Sequence, residues 1–260
     1  IVWLDQHPES FHQGNHWLEN LISLCIGSLQ FEGNKSKKIY EKNINILEKE
    51  VKIQILNDGG HFERSASYHI LLLERLVELG FVIESIKSER PNWLLKTIGS
   101  MKNWVSLIKL QNNNIPTFND CPLDISLEVE DILNFSISYL NKTPIDYKCG
   151  IKAKLSLLYK DNEVFHENIQ NVNSVNLNET GWSILRTRNN WELTFKWGEP
   201  CARACPGHVQ SDLLSLNLYY KGFPILIEAC TSEYGVQENR LYERSSKAHN
   251  ILELGKKDLK

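Results

Sequence analysis

Asn57-Asp58-Gly59-Gly60-His61-Phe62-Glu63-Arg64-Ser65-Ala66-Ser67-Tyr68-His69 interrupts two long helical patterns with paired glycines and a run of titratable side chains. Gly59 and Gly60 admit backbone angles that most residues resist, so the chain turns sharply here. Ser65 reads as the N-cap of a helix whose apolar run is Ile70, Leu71, Leu73, Leu76 and Val77. Tyr68 and His69 then fall in the first turn of that helix. A loop-to-helix junction carrying His, Glu, Arg, Tyr and His is a common way to build a site. By composition alone it is equally a polar surface turn.

Outward from this junction the N-terminal side is helical. Trp17, Leu18, Leu21, Ile22, Cys25, Ile26 and Leu29 keep helical spacing up to Phe31, with Gly14, Asn15 and His16 at the helix entry. A second helix follows Ser36, with Ile39, Tyr40, Ile44, Leu47, Val51 and Ile55 on one face. The third spans 65–79, with Gly80 as a C-cap signal. Pro91 opens a fourth that runs to Leu110, Asn112 to Asp120 reads as a polar loop, and Leu127 to Leu140 is a fifth. Helices joined by short loops indicate an all-α unit.

Past Pro144 the pattern changes to short runs rich in β-branched, aromatic and leucine residues: Lys152–Tyr159, Trp182–Thr187, Trp191–Trp197, Leu213–Tyr220 and Pro224–Ile227. Asn189-Asn190 and Lys221-Gly222 supply turns. This predicts an antiparallel sheet, one layer of a sandwich, with the domain boundary near Thr143: residues 1–143 helical, 144–260 β.

At 260 residues, 42% hydrophobic and 23% charged, the chain can bury a large core. A net charge of -3 gives no argument for a nucleic-acid partner, and an anionic ligand would need local basic residues. No apolar run approaches the roughly twenty residues of a membrane span. The sequence opens at Ile1 without Met and is read as a fragment, so a missing targeting segment carries no weight. Six cysteines lack metal-type spacing; Cys201 and Cys205 either bridge across a loop or are both free.

The glycine-rich stretch resembles the Asp-Gly-Gly-His-Phe-Glu-Arg-Ser…Tyr-His signature of the heparinase II/III family of polysaccharide lyases. Gly14-Asn15-His16-Trp17, Pro206-Gly207-His208-Val209-Gln210-Ser211-Asp212 and Ala248-His249-Asn250 match further segments in the family's order. The resemblance implies an incomplete (α/α) toroid followed by an antiparallel β-sandwich. It also implies an anionic polysaccharide partner and a periplasmic, cell-envelope or secreted location; oligomeric state is left open.

Such lyases cleave next to a uronic acid by β-elimination: a proton leaves C5, and the O4 leaving group must be protonated. The site needs a neutraliser for the carboxylate, a base and an acid. The resemblance assigns neutralisation to Asn15 and proton transfer to Tyr68 and His208. His16, His61, Glu63, Arg64 and Arg244 are supporting or substrate-binding candidates; Arg64 pairs either with a substrate anion or with Glu63 or Glu74. In metal-containing members a structural divalent ion occupies positions that here are Gln210, Glu228 and His249. Gln is a poor zinc ligand, so zinc is not expected, and a harder ion or no cofactor is the reading. Gln210 would then hydrogen-bond Glu228 or His249. Two alternatives use the same residues: a uronate C5 epimerase and a non-catalytic glycan-binding or assembly protein.

Overall fold

The computed structural model describes residues 1–143, 173–203 and 205–253. Among the described residues six helices precede the sheet: α1 Val2–Gln6, α2 Asn15–Leu29, α3 Asn34–Gln54, α4 Ala66–Lys87, α5 Asn92–Ile108 and α6 Val129–Asn141. Helix α4 is apolar nearly all round, because α2, α5 and α6 pack on it from different sides. Ser65 caps it, its hydroxyl accepting from the Tyr68 amide at 3.5 Å.

Gly80 does not end this helix. The helix continues to Lys87 and stops at Ser88, in the left-handed region. Gly80 instead lets α6 approach: a Cβ there would lie 2.4 Å from Tyr139 Cζ. The Tyr139 ring is buried and meets Phe81 edge-on, with the Arg90 guanidinium over it.

The second half holds strands β1 Val175–Leu177, β2 Trp182–Arg186, β3 Trp191–Lys196, β4 Leu216–Tyr220 and β5 Phe223–Leu226, then a short helix α7, Glu238–Glu243. The strands form one antiparallel sheet in the order β1-β2-β3-β4-β5, with Trp182 opposite Lys196 and Leu193 opposite Leu218. This is the single layer predicted. The expected strand Lys152–Tyr159 lies outside the described residues.

Sheet and helices share one core. Leu177, Trp182 and Ile184 join the helical cluster, with Trp182 packed on Trp104 and Phe118. The glycine turn forms the joint. The Asp58 carboxylate accepts from the Glu179 and Thr180 amides at 3.0 and 2.7 Å and from the Thr180 hydroxyl at 2.9 Å. A Cβ at Gly60 would lie 2.3 Å from Thr180 Oγ1 and 2.7 Å from Trp104 Nε1. Gly60 is therefore required by the close approach of Thr180 and Trp104, while Gly59 is required by its φ of +93 and by the Ser100 carbonyl, which a Cβ would meet at 2.4 Å.

Helix propensity alone would make Gly80→Ala stabilising by about 0.5–1 kcal/mol. Because the added methyl meets Tyr139, we expect the opposite sign, a loss of about 1–3 kcal/mol. Urea unfolding checks it as a lower midpoint at unchanged slope.

Candidate functional site

Five separate segments converge on one open cavity of about 460 Å³. Its wall includes Glu63 and Tyr68 from the glycine-turn junction, Asp120 from the loop before α6, and His208 from the short helical turn Pro206–His208. Tyr234, Arg240 and Arg244 close it from the segment around α7, and His12 and His16 flank the mouth.

Gly14 starts the construction. It has φ +90, and a Cβ would lie 1.9 Å from Glu63 Oε1, so only glycine fits. That contact lets the first turn of α2 sit on the buried Glu63 carboxylate. The Asn15 amide N–H donates to Oε1 at 2.9 Å and its side-chain Nδ2 donates to Oε2 at 2.8 Å. Asn15 is thus the first residue of α2 and not its cap. Its Nδ2 also lies 3.2 Å from His208 Nε2. On the other edge of that ring, Nδ1 is 3.1 Å from Asp120 Oδ2.

Asp120 is buried and heavily bonded. Arg240 Nη2 pairs with Oδ2 at 2.5 Å, and Gln210 Nε2 donates to Oδ1 at 2.9 Å. The Asp120 amide donates to the His208 carbonyl at 3.0 Å, so loop and turn are also tied through the backbone. Tyr68 stacks on the His208 ring with centroids 4.1 Å apart, and its hydroxyl meets that of Tyr234 at 2.6 Å.

Burial works to raise the pKa of Glu63, but His61, His208 and the two Asn15 bonds outweigh it and hold the carboxyl below its usual range. Asp120 shows the same balance: burial raises, while His208, Arg240 and Gln210 bring it lower. Burial lifts the Tyr68 phenol above its ordinary value, so at neutral pH it carries its proton. Full burial depresses His61 to about 4 and His69 to about 3. The site therefore offers a neutral phenol and an imidazole between two buried carboxylates.

Residues 3–143 match the heparinase II/III N-terminal family and residues 169–259 the heparinase II/III-like C-terminal family. The chain belongs to the heparinase II/III family. It is 23% identical over 260 residues to the heparin-sulfate lyase of Bacteroides stercoris, covering 95% of this chain and 36% of that protein. The crystal structure of heparinase III superposes with a TM-score of 0.75 at 19% identity, over 100% of this chain and 41% of that one. The heparan sulfate lyase HepC from Pedobacter heparinus gives 0.65 at 19% identity, over 95% and 38%. The chain thus spans well under half the length of these relatives.

Against the family's motifs, Tyr68 and His208 line the cavity. Asn15 lies directly behind His208, bonded to Glu63 and almost fully buried. His16 and Arg244 are at the wall; Arg244 Nη2 donates to the Val209 carbonyl at 3.0 Å. His61 does not reach the wall. It is buried, with Nε2 3.0 Å from Gln54 Oε1 and Nδ1 3.6 Å from Glu63 Oε2, which makes it a support for Glu63.

Arg64 is a clear correction. Its φ of 52 places the backbone in the left-handed region, and it pairs with neither Glu63 nor Glu74 nor the cavity. Its Nη2 donates to the Glu179 carbonyl at 3.0 Å and its Nη1 lies 3.8 Å from Glu199. It is a docking residue between the two halves.

Of the metal-type positions, Gln210 is bonded apart from the other two. Gln210 bonds Asp120 and Thr231, not Glu228 or His249. Glu228 pairs with His249 Nδ1 and accepts from the Ser215 hydroxyl and the Asn250 amide. Among the described residues no three His, Cys, Asp or Glu side chains are grouped to hold an ion. An amide already committed elsewhere, beside a self-paired Glu–His, does not fit a divalent metal. Cys201 and Cys205 are both free; Cys201 Sγ reaches the Cys205 carbonyl, and Cys205 Sγ the Gln13 carbonyl.

Asp120 and Tyr234 escaped the sequence reading. Asp120 sits in a polar loop, and neither has a spacing that marks it.

A histidine whose folded pKa is depressed resists protonation while the unfolded chain takes the proton, so stability is lost as pH falls. For His61 the window runs from 6.5 down to about 4. This amounts to about 3 kcal/mol at full development. His69 acts in the same direction over a window from 6.5 down to about 3, and Glu63 and Asp120 do so at lower pH. Chemical denaturation at pH 7 and pH 5 is expected to show this loss, with a shallower dependence in His61→Gln.

Proposed function

We propose that this chain carries the chemical centre of a polysaccharide lyase that cleaves a uronic-acid-containing glycosaminoglycan of the heparin or heparan sulfate type by β-elimination. The observation that carries the reading is the stacking of Tyr68, from the helical half, on His208, from the β half, at 4.1 Å in the wall of one open cavity. Local packing alone gives a helix-entry tyrosine and a turn histidine no reason to meet. The names of the relatives, heparin-sulfate lyase and heparinase III, support the same substrate class.

In this mechanism the C5–H bond breaks and its proton passes to His208 Nε2. The electron pair delocalises toward the uronate carboxylate, then forms the C4=C5 double bond as the C4–O4 bond breaks. O4 takes the proton of the Tyr68 hydroxyl, which burial keeps protonated. Solvent then returns the proton from His208 to Tyr68. The carboxylate competes with Glu63 for the Asn15 amide, whose N–H groups already point into the cluster. Arg244, His12 and His16 at the wall provide cationic or hydrogen-bonding contacts for further anionic groups.

Epimerisation requires the returning proton to arrive on the face opposite the base. Tyr68 and His208 lie against one another, an arrangement suited to moving protons on one side of the ring. No feature favours the epimerase or the non-catalytic scaffold over elimination. A polymeric glycan substrate also favours action in the periplasm or outside the cell.

Tyr68→Phe is expected to lower turnover by at least about a hundredfold while leaving circular dichroism and the unfolding midpoint nearly unchanged, since only a hydroxyl is lost. The assay is the ultraviolet absorbance of the unsaturated uronate released from heparan sulfate. Turnover within tenfold of the native protein would remove Tyr68 from the chemistry.

A further inference from the structure

The least expected feature of the site is the pair of buried carboxylates on either side of His208. Asp120 is 1% exposed and Glu63 is fully buried. Anions so placed in a cavity meant for an anionic substrate would be costly unless they organise something else.

Hydrogen-bond donors decide what that is. An ionised carboxylate only accepts, so the ring atom 3.1 Å from Asp120 Oδ2, His208 Nδ1, must carry hydrogen. The opposite edge is settled by Glu63. Asn15 turns its amide nitrogen, not its oxygen, toward Glu63 Oε2 at 2.8 Å, because two oxygens would repel. The same nitrogen stands 3.2 Å from His208 Nε2 and meets a lone pair there. The series therefore runs without conflict from Glu63 through the Asn15 amide and the ring to Asp120. The reverse tautomer would set a ring lone pair against the Asp120 carboxylate and a ring N–H against the Asn15 amide hydrogens.

Asp120 is itself fixed. Arg240 Nη2 holds Oδ2 at 2.5 Å, Gln210 Nε2 holds Oδ1 at 2.9 Å, and its backbone amide grips the His208 carbonyl at 3.0 Å. We infer that Asp120, clamped by Arg240 and Gln210, is a positioning residue that holds His208 as the Nδ1–H tautomer, so that the Nε2 lone pair accepts from the Asn15 amide and is freed for a proton when that amide turns to a substrate carboxylate. Gln210 thereby has a task of its own, fixing the carboxylate that orients the histidine. The arrangement uses the logic by which a buried carboxylate sets the tautomer of a catalytic imidazole.

The tautomer itself stands on geometry alone; its catalytic consequence rests on the lyase reading. The experiment uses the full chain with ¹⁵N-labelled histidine, His208 being assigned by its absence in His208→Ala. At pH 7 the expected result is a pyrrole-type Nδ1 and a pyridine-type Nε2. A protonated Nε2, in either a neutral or a doubly protonated ring, would overturn the proposal, and this readout needs no variant to fold. In Asp120→Asn, whose amide can donate to Nδ1, the tautomer is expected to shift toward Nε2–H. The kcat on heparan sulfate should fall roughly tenfold or more while KM stays within about twofold. A folded Asp120→Asn with an unchanged tautomer, or with unchanged kcat in an active enzyme, would also overturn it. The correct tautomer in a protein that releases no unsaturated uronate would leave Asp120's role standing and remove the lyase reading instead.

Discussion

Asn119 ties the two halves of the molecule together beside the site. This fully buried residue, at φ 56, bonds through its backbone amide and both ends of its side chain. Its side-chain nitrogen donates to the carbonyls of Glu63, Arg64 and Pro200 at 3.1, 3.1 and 2.8 Å. Its backbone amide donates to Asp212 Oδ2 at 2.7 Å, and its side-chain oxygen accepts from Lys196, which is ion-paired with Asp212. One amide thus joins the junction loop, the segment before the His208 turn and the middle strand of the sheet. Asp120, the next residue, is delivered to His208 as a consequence.

The Lys196–Asp212 pair adds specificity more than stability. Burial pulls the Lys196 ammonium below its ordinary range, while Asp212 opposes that shift. Desolvating both charges offsets much of their attraction, yet removing one partner would strand the other at a cost of about 3–5 kcal/mol. Only the docked arrangement satisfies both, so alternative placements of sheet on helices are heavily disfavoured. The Arg186–Glu192 pair works alike: Arg186 also donates to the Leu107 and Lys109 carbonyls at the end of α5.

This polar inner face explains where sequence reading and structure part. In β3 the alternation Trp191, Leu193, Phe195 suggests an apolar inner face. The buried positions are instead Glu192, Thr194 and Lys196. Period-two patterning tells which residues share a face but not which face the helices cover. Gly80 misled for a similar reason: a glycine near the end of an apolar run is a stop signal locally, and only the approach of Tyr139 from a distant helix makes it an interior residue. Arg64 was placed near substrate by its neighbours in sequence, but a left-handed backbone turned it toward Glu179.

What the sequence determined by itself was local and periodic. Helix spacing, the Ser65 cap, the Asn189-Asn190 turn and the change from helical to strand-like spacing are set within a few residues of one another, and so were readable. Tyr68 and His208 were readable only because their motifs match a known family. The tertiary structure alone decided the placement of Asp120, Arg240 and Tyr234, the burial of Asn15 behind the ring, and the separation of Gln210 from Glu228 and His249. Each depends on bonds across 21 to 193 residues of sequence. Such bonds leave no spacing to recognise, because the partners are chosen by where the docked sheet puts them.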